Sequence, residues 1–266
     1  MSKNKSIWII NQYAVTPETG QGARHYHLAK NLANLGYDVY LITASFTHYL
    51  KEPIQVEKTF KIKKESENLS FVWVKVPDYT DAHNKQRILN WFLFAWKIVK
   101  LKGRLPKPDV ILYSSPSLVG YLGAEKLAKT FKIPLAFEVR DIWPLTLYEI
   151  GGYSLNHPFI KFLQAIEKRA YSKSNIVISN LKNSYQHMQS LGMDDDKFTW
   201  IPNGVSISAL KNIEKVSNSV LDKVPLNKFI VGYTGTLGEA NAMDYLIEAA
   251  DILRDEKDIH FVIVGT

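Results

Sequence analysis

Short apolar runs rich in β-branched and aromatic residues alternate with longer stretches of helical period along most of this chain. Ser6–Ile10 predicts a strand, Gly22–Leu35 a helix stopped by Gly36, and Asp38–Thr43 a second strand. That is one βαβ unit, punctuated by the glycine that a helix end favours. Leu69–Val76 predicts a strand ended by Pro77, and Lys85–Lys102 a helix. Strands over Asp109–Ser114, Leu135–Val139 and Asn175–Ser179 then alternate with helices over Leu118–Phe131, Leu155–Ser172 and Leu181–Leu191. A short strand over Thr199–Ile201 closes the series. This order implies an α/β fold: a doubly wound, mostly parallel sheet with right-handed crossovers. Runs such as Val110-Ile111-Leu112 and Ile176-Val177-Ile178 suit strands buried on both faces.

The pattern changes after Pro202-Asn203-Gly204. Residues 206–227 are rich in Ser, Asn and Lys with little regular period, and they are expected to be a linker between a first domain (1–205) and a second (228–266). Alternation then restarts with a strand over Phe229–Tyr233, a glycine-rich turn over Thr234–Gly238, a helix over Ala242–Arg254 and a strand over Ile259–Val264. One βαβ of about 40 residues does not bury its own faces. The second domain is therefore expected to be incomplete, a truncated Rossmann-like unit cut off at Gly265-Thr266.

Composition narrows the class. With 46% hydrophobic and 12% aromatic residues among 266, the chain is globular, and the absence of cysteine excludes disulfides and thiolate chemistry. That fits a cytoplasmic location. Ile7-Trp8-Ile9-Ile10 after Lys3 and Lys5 has the look of a signal peptide, but the apolar run breaks at Asn11-Gln12 with no small-residue cleavage site. The longest aromatic-apolar segment, Ile88 to Leu101, contains Asn90, Lys97 and Lys100 and falls short of the about 20 apolar residues that span a bilayer. A formal net charge of +7 favours anionic partners: nucleotide phosphates, anionic lipid or nucleic acid. Nucleic acid is the weakest of these, because the basic residues are dispersed and no recognition module is visible.

In open α/β sheets ligands bind at the carboxyl ends of the strands, so the loops there carry the candidate chemistry. After the first strand, Gly20 and Gly22 open a helix that continues with Arg24 and His25. Backbone N–H groups there can approach a phosphate or a sugar. The spacing is not that of a dinucleotide fingerprint. After the strand over Asp109–Ser114, Ser114, Ser115 and Ser117 are explained as caps of the next helix. The most informative run is Phe137-Glu138-Val139-Arg140-Asp141-Ile142-Trp143-Pro144, since a strand rarely ends in such a cluster for packing alone. Asp141 is the candidate catalytic group, accepting a proton from an acceptor hydroxyl. Arg140 suits an anionic group, and Glu138 and Trp143 complete the loop's candidate binding residues. The structural alternative is an Arg140–Asp141 or Glu138 ion pair that braces the loop. Asn203-Gly204 predicts a turn with positive φ, and Gly235-Thr236 a turn that lets a phosphate-bearing ligand lie against backbone. Lys85–Lys107 mixes Arg87, Lys97, Lys100, Lys102, Arg104 and Lys107 with Trp91, Phe92, Phe94 and Trp96. Such a segment either lies at a membrane interface or packs as a core helix with a basic end. No metal-ligand spacing, Walker loop, zinc ribbon or serine-nucleophile elbow occurs.

The order of these motifs resembles the retaining family-4 glycosyltransferases of the GT-B fold, especially bacterial ones that build surface polysaccharides such as capsule or O-antigen. The matching pieces are Gly20–Gly22, Leu35-Gly36-Tyr37-Asp38-Val39, Pro108-Asp109-Val110-Ile111, Glu138-Val139-Arg140-Asp141-Ile142-Trp143-Pro144, Ile201-Pro202-Asn203-Gly204-Val205, Gly232-Tyr233-Thr234-Gly235 and Ile247-Glu248-Ala249-Ala250. The resemblance implies transfer of a sugar, with retention, from a nucleotide-diphosphate sugar to a saccharide acceptor. It implies an acceptor-side first domain, a nucleotide-binding second domain, and a polyprenyl-diphosphate-linked or other saccharide acceptor at the cytoplasmic membrane face. Peripheral contact with an anionic membrane accords with the basic-aromatic segment. No cofactor and no metal are expected. The pattern departs at Thr236–Asn241, which has neither the Arg nor the Lys that many members place there, and the second-domain Glu-x7-Glu element is absent from the sequence. The chain alone is expected to be inactive. Two other readings are a non-catalytic acceptor- or membrane-binding module and a GT-B-fold sugar-nucleotide epimerase.

Overall fold

The computed structural model describes residues 4–20, 23–79, 85–149, 151–207, 211, 215–238 and 241–265. The chain divides into two compact units, residues 1–205 and 206–266. In the first unit the strands are β1 (Ser6–Ile10), β2 (Asp38–Ala44), β3 (Phe60–Ser66), β4 (Leu69–Val74), β5 (Val110–Ser114), β6 (Leu135–Val139), β7 (Ile176–Ser179) and β8 (Phe198–Trp200). Its helices are α1 (Arg24–Asn34), α2 (Lys85–Ile98), α3 (Leu118–Phe131), α4 (Leu145–Glu149), α5 (Pro158–Lys173) and α6 (Tyr185–Ser190). The strands form one sheet in the order β3-β4-β2-β1-β5-β6-β7-β8, parallel throughout except for β3 against β4.

Strand parity explains how two faces are covered. On β1, Trp8 and Ile10 enter the cluster with α2, α3 and α5, while Ile9 enters the cluster with Tyr26, Ala29 and Ala33 of α1. Strands β2 and β4 alternate in the same way, with Ile42 and Val72 on one side and Leu41 and Phe71 on the other. A sheet buried on both faces needs apolar residues at successive positions, which is why these strands read as runs. Helix α3 packs close to α2 because Gly123 faces the Ala95 carbonyl oxygen, where a Cβ would lie 2.4 Å away.

Several expected boundaries move. The helix predicted from Leu155 begins at Pro158, where proline takes a first-turn position and the His157 imidazole Nδ1 accepts from Phe159 N (3.2 Å). The helix expected to run to Lys102 ends at Ile98 and tightens into a 3-10 turn over Val99–Leu101. Strand β3 was not expected, because Phe60-Lys61-Ile62-Lys63-Lys64 has no apolar run. It is a sheet edge, and exposed lysines suit an edge that must not pair with other chains.

The second unit holds α7 (Asn218–Leu221) inside the stretch expected to be linker, then β9 (Phe229–Thr234), α8 (Met243–Ile252) and β10 (Ile259–Val264). Strands β9 and β10 pair in parallel. No described residue from 206 on is buried.

Candidate functional site

Strand β1 lies between β2 and β5, so the chain leads away from it in both directions, and the crevice at the β1 and β5 carboxyl ends is a topological switch point. A cavity of about 290 Å³ opens there, lined by Asn11, Tyr13, His25, Tyr49, Ser115, Pro116, Arg140 and Asp141. A larger groove of about 660 Å³ runs along the outer face of α3 and α5, away from the strand ends. The switch-point cavity is the candidate ligand site, since it gathers the polar groups.

Asn11, the first residue past β1, spans the switch. Its amide Nδ2 donates to the carbonyl oxygens of Ser114 (3.2 Å) and Ser115 (2.9 Å), and its Oδ1 accepts from Tyr13 N (2.9 Å). These bonds satisfy a buried polar side chain and tie the β1 and β5 loops together. The Ser115 hydroxyl accepts from Arg140 N (2.9 Å), which fixes the β6 loop to the β5 loop.

Parity places Glu138 beneath this floor. Phe137 and Val139 point to the α2–α3–α5 side, so Glu138 faces α1, beside its register partner Ser114. Its side chain is only 2% exposed and accepts four hydrogen bonds. Arg24 Nε (3.1 Å) and Nη2 (2.8 Å) reach Oε1, while Ser114 Oγ (2.6 Å) and His25 Nε2 (3.1 Å) reach Oε2. Burial pushes this carboxyl up. The hydrogen bond and attraction from His25, with the bonds from Ser114 and Arg24, outweigh that and hold it well below the ordinary carboxylate range. Because a carboxylate only accepts, His25 Nε2 carries a proton, which it shares with Ser114 Oγ at 2.8 Å.

Arg24 has no donor left for a substrate. Its five N–H groups go to Glu138 twice, to the carbonyl oxygens of Pro202 (3.1 Å) and Ile201 (3.4 Å), and to Asn203 Oδ1 (3.1 Å). It braces the segment after β8 against the first turn of α1. This corrects the expected turn at Asn203-Gly204: neither residue has positive φ, and residues 201–205 form no turn, held instead by Arg24. The caps expected of the serines are also absent. Ser117 stands at the α3 N-cap without a side-chain cap bond, and Ser114 and Ser115 serve Glu138 and Arg140.

Arg140 and Asp141 both line the cavity, and no ion pair joins them to each other or to Glu138 among the described residues. The Arg140 Nε is buried without a hydrogen-bond partner. The bracing pair offered as the structural alternative is thus not Arg140–Asp141 but Arg24–Glu138. Trp143 does not line the cavity. It packs edge-on against Trp91 (5.7 Å between centroids), and Arg87 lies over Trp143, Trp91 and Tyr13 at about 6 Å. Trp91 Nε1 donates to the Tyr13 hydroxyl (2.7 Å), which fixes the aromatic wall.

Gly20 has a packing role: a Cβ there would lie 2.3 Å from the Tyr49 carbonyl oxygen, so glycine lets the loop carrying Tyr49 close over the cavity. Gly22 lies outside the described residues, as do Glu239 and Ala240 of the Thr236–Asn241 stretch. In the second unit Gly235 has φ +156°, and the Thr236 carbonyl accepts from the Tyr233 hydroxyl and Asn241 Nδ2, both at 2.8 Å. Of the predicted residues the structure gathers His25, Arg140 and Asp141 around the cavity, with Arg24, Glu138 and Asn203 as its brace. The sequence reading missed Asn11, Tyr13, Tyr49 and the site roles of Ser114 and Ser115. A polar residue directly following a buried parallel strand, as Asn11 does, was the available signal. Among the described residues no group of three His, Asp or Glu gathers as a metal-ligand set, and no helix is long and apolar enough to cross a membrane.

A doubly wound parallel sheet with a polar cavity at its switch point is a Rossmann-like ligand-binding unit, and the solved structures it resembles have the GT-B architecture. Sucrose-phosphate synthase from Thermosynechococcus elongatus superposes with a TM-score of 0.73 at 14% identity, over 99% of this chain and 62% of that one. The α,α-trehalose 6-phosphate synthase of Burkholderia multivorans gives 0.68 at 11% identity, over 99% and 65%. The family model for Glycosyltransferase Family 4 matches residues 19–209, and the chain belongs to that family. Among curated proteins it is 25% identical over 259 residues to WcaI of Escherichia coli (strain K12), which is named for colanic acid biosynthesis glycosyl transfer. The match covers 94% of this chain and 63% of WcaI. The chain thus spans about three fifths of the length of that relative.

Proposed function

We propose that this chain contributes the acceptor side of a glycosyltransferase that moves a sugar from a nucleotide-diphosphate sugar to a saccharide acceptor in surface polysaccharide synthesis. The observation that carries this reading is the switch-point cavity itself. It has an exposed carboxylate, Asp141, beside a guanidinium, Arg140, on one loop, with Tyr13 and Tyr49 as aromatic walls. Aromatic faces pack on sugar rings, the carboxylate accepts a hydrogen bond from an acceptor hydroxyl, and the guanidinium binds a phosphate oxygen. In the transfer the acceptor oxygen bonds to the anomeric carbon, the bond to the diphosphate breaks, and the hydroxyl proton passes to the oxygen of the departing nucleoside diphosphate. The resemblance to retaining members makes retention the expected stereochemistry. In that chemistry Asp141 orients the acceptor and is not required as a strong base.

The relative's name favours an acceptor in surface polysaccharide synthesis, and the Arg140 guanidinium at the cavity suits one that is diphosphate-linked, as a polyprenyl-diphosphate saccharide is. Gly235, in the loop between β9 and α8, is proposed to lie against the donor phosphates. The second unit buries none of its described residues, and β9, α8 and β10 expose Phe229, Tyr245, Ile247 and Val264. A complete nucleotide-binding unit would cover such faces, so this chain by itself is proposed to be inactive.

The test is transfer from a panel of UDP-, GDP- and dTDP-sugars to a polyprenyl-diphosphate saccharide, with this chain and with a longer form from the same locus. The reading expects turnover by the longer form with one donor, and a product of unchanged anomeric configuration by NMR. Conversion of the nucleotide sugar to its epimer without acceptor would replace it with the epimerase reading.

A further inference from the structure

The groove along α3 and α5 shares no lining residue with the switch-point cavity. On α2, Leu89, Phe92 and Trp96 follow a helical three-four spacing and face outward, with Phe92 44% and Trp96 58% exposed. The exposed Phe162 of α5 stacks on Phe92, their centroids 6.0 Å apart and their planes 18° from parallel. Lys100 Nζ sits 3.3 Å from the Trp96 ring centroid. The 660 Å³ groove has Leu122, Phe162 and Ile166 in its floor and Lys126, Lys129 and Arg169 among its lining, and a neighbouring depression of about 300 Å³ shares Leu122 and Lys126 with it and reaches Trp96 and Lys100. The one acid in either lining, Glu125, is already held by Lys129 (2.7 Å) and Arg169 (2.8 Å). Residues 85–107 contain no Asp or Glu.

We propose that this α2–α3–α5 face seats on an anionic lipid bilayer. Exposed Trp and Phe among lysines are what a bilayer interface selects: rings enter the headgroup zone while ammonium groups meet lipid phosphates. A second copy of the chain fits poorly, because two-fold pairing of this face would set its cations against themselves. The face is also joined to the cavity wall by packed rings. Phe162 meets Phe159 at 6.5 Å, Phe159 meets Trp91 at 6.2 Å, and Trp91 bonds to Tyr13. Seating this face therefore fixes how the cavity is presented to the membrane. The inference extends the lipid-linked acceptor reading, but its test needs no turnover, so the two can fail separately.

The experiment is co-flotation of the full chain with phosphatidylcholine vesicles, with and without phosphatidylglycerol, at low and high salt. Binding is expected only to the anionic vesicles and weakens with salt. Lys100→Gln with Lys126→Gln reduces it about 25-fold, at about fivefold for each cation removed. Trp96→Ser with Phe162→Ser abolishes it while the far-UV circular dichroism stays unchanged. Lys58→Gln with Lys64→Gln, on the exposed β3 side, changes it less than twofold. Equal losses from the two lysine pairs would reduce the effect to net charge and overturn the proposal. So would vesicle binding that is indifferent to the lysine pair and to Trp96, or a dimer in solution that Trp96→Ser dissolves.

Discussion

Replacing Glu138 with Gln tests whether the buried carboxylate holds the site together. Gln keeps the shape and one acceptor oxygen, so the Arg24 fork retains partners. The amide nitrogen, however, now faces the His25 Nε2 proton and the Ser114 hydroxyl. The Ser114 hydroxyl can turn to accept, but His25 loses its carboxylate and Arg24 loses its counter-charge. Removing one member of a buried ion pair costs about 3–5 kcal/mol. Arg24 is 16% exposed and keeps its bonds to residues 201–203, which places this case at the low end, about 3 kcal/mol. For a unit of this size that is a fall in Tm of about 6–12 °C. The sign with pH follows from the depressed carboxyl. Above the unfolded-state value of 4.5 both folded and unfolded chains carry the charge, and the stabilisation is complete. As pH falls below 4.5 the unfolded chain takes up the proton first, so the wild-type advantage shrinks toward the much lower folded-state value. Urea unfolding followed by tryptophan fluorescence at pH 7 and at pH 4 measures the gap. A gap below about 1 kcal/mol at pH 7, or one that widens on acidification, would refute the reasoning.

Other substitutions probe the same frame. Gly20→Ala forces the loop carrying Tyr49 away from its 2.3 Å approach; it should cost about 1–3 kcal/mol in chemical denaturation and raise the acceptor KM of the complete enzyme more than its donor KM. Tyr13→Phe removes the acceptor for Trp91 Nε1 and leaves a buried indole N–H unpaired; a loss of about 1–3 kcal/mol is expected, and a neutral result would remove that bond from the account. Arg24→Lys replaces a five-donor fork by a point charge; amide exchange of residues 201–205 should quicken while the β1–β5 core stays protected, which hydrogen-exchange mass spectrometry resolves.

The alternation of apolar runs and helical periods made the parallel sheet legible, because strands buried on both faces must be apolar at every position. Trp8, Ile9 and Ile10 serve two cores at once. Strand β3 escaped for the complementary reason: an edge strand rich in lysine has no core signal to read. The candidate loops were legible from their place after the strands, and His25, Arg140 and Asp141 do meet at one cavity. Their division of labour was not. Glu138, Arg140 and Asp141 look alike in sequence, and strand parity, which turns Glu138 to the α1 face under Arg24 and His25, separates the brace from the cavity lining. Tyr13 and Tyr49 were illegible because their roles depend on which loops cross the switch point, and that follows from strand order. Gly20 read as a ligand loop, since spacing does not reveal that the nearest neighbour is the Tyr49 carbonyl.

The central claim is that the switch-point cavity receives the acceptor, with Asp141 oriented to its hydroxyl. The most direct measurement is steady-state transfer by the complete enzyme carrying Asp141→Ala, with donor and acceptor varied independently. The account predicts a kcat lower by about 100-fold, the cost of a misplaced acceptor, with the donor KM unchanged. A donor KM that rises in step with the loss of kcat, or full activity without the carboxylate, would contradict it.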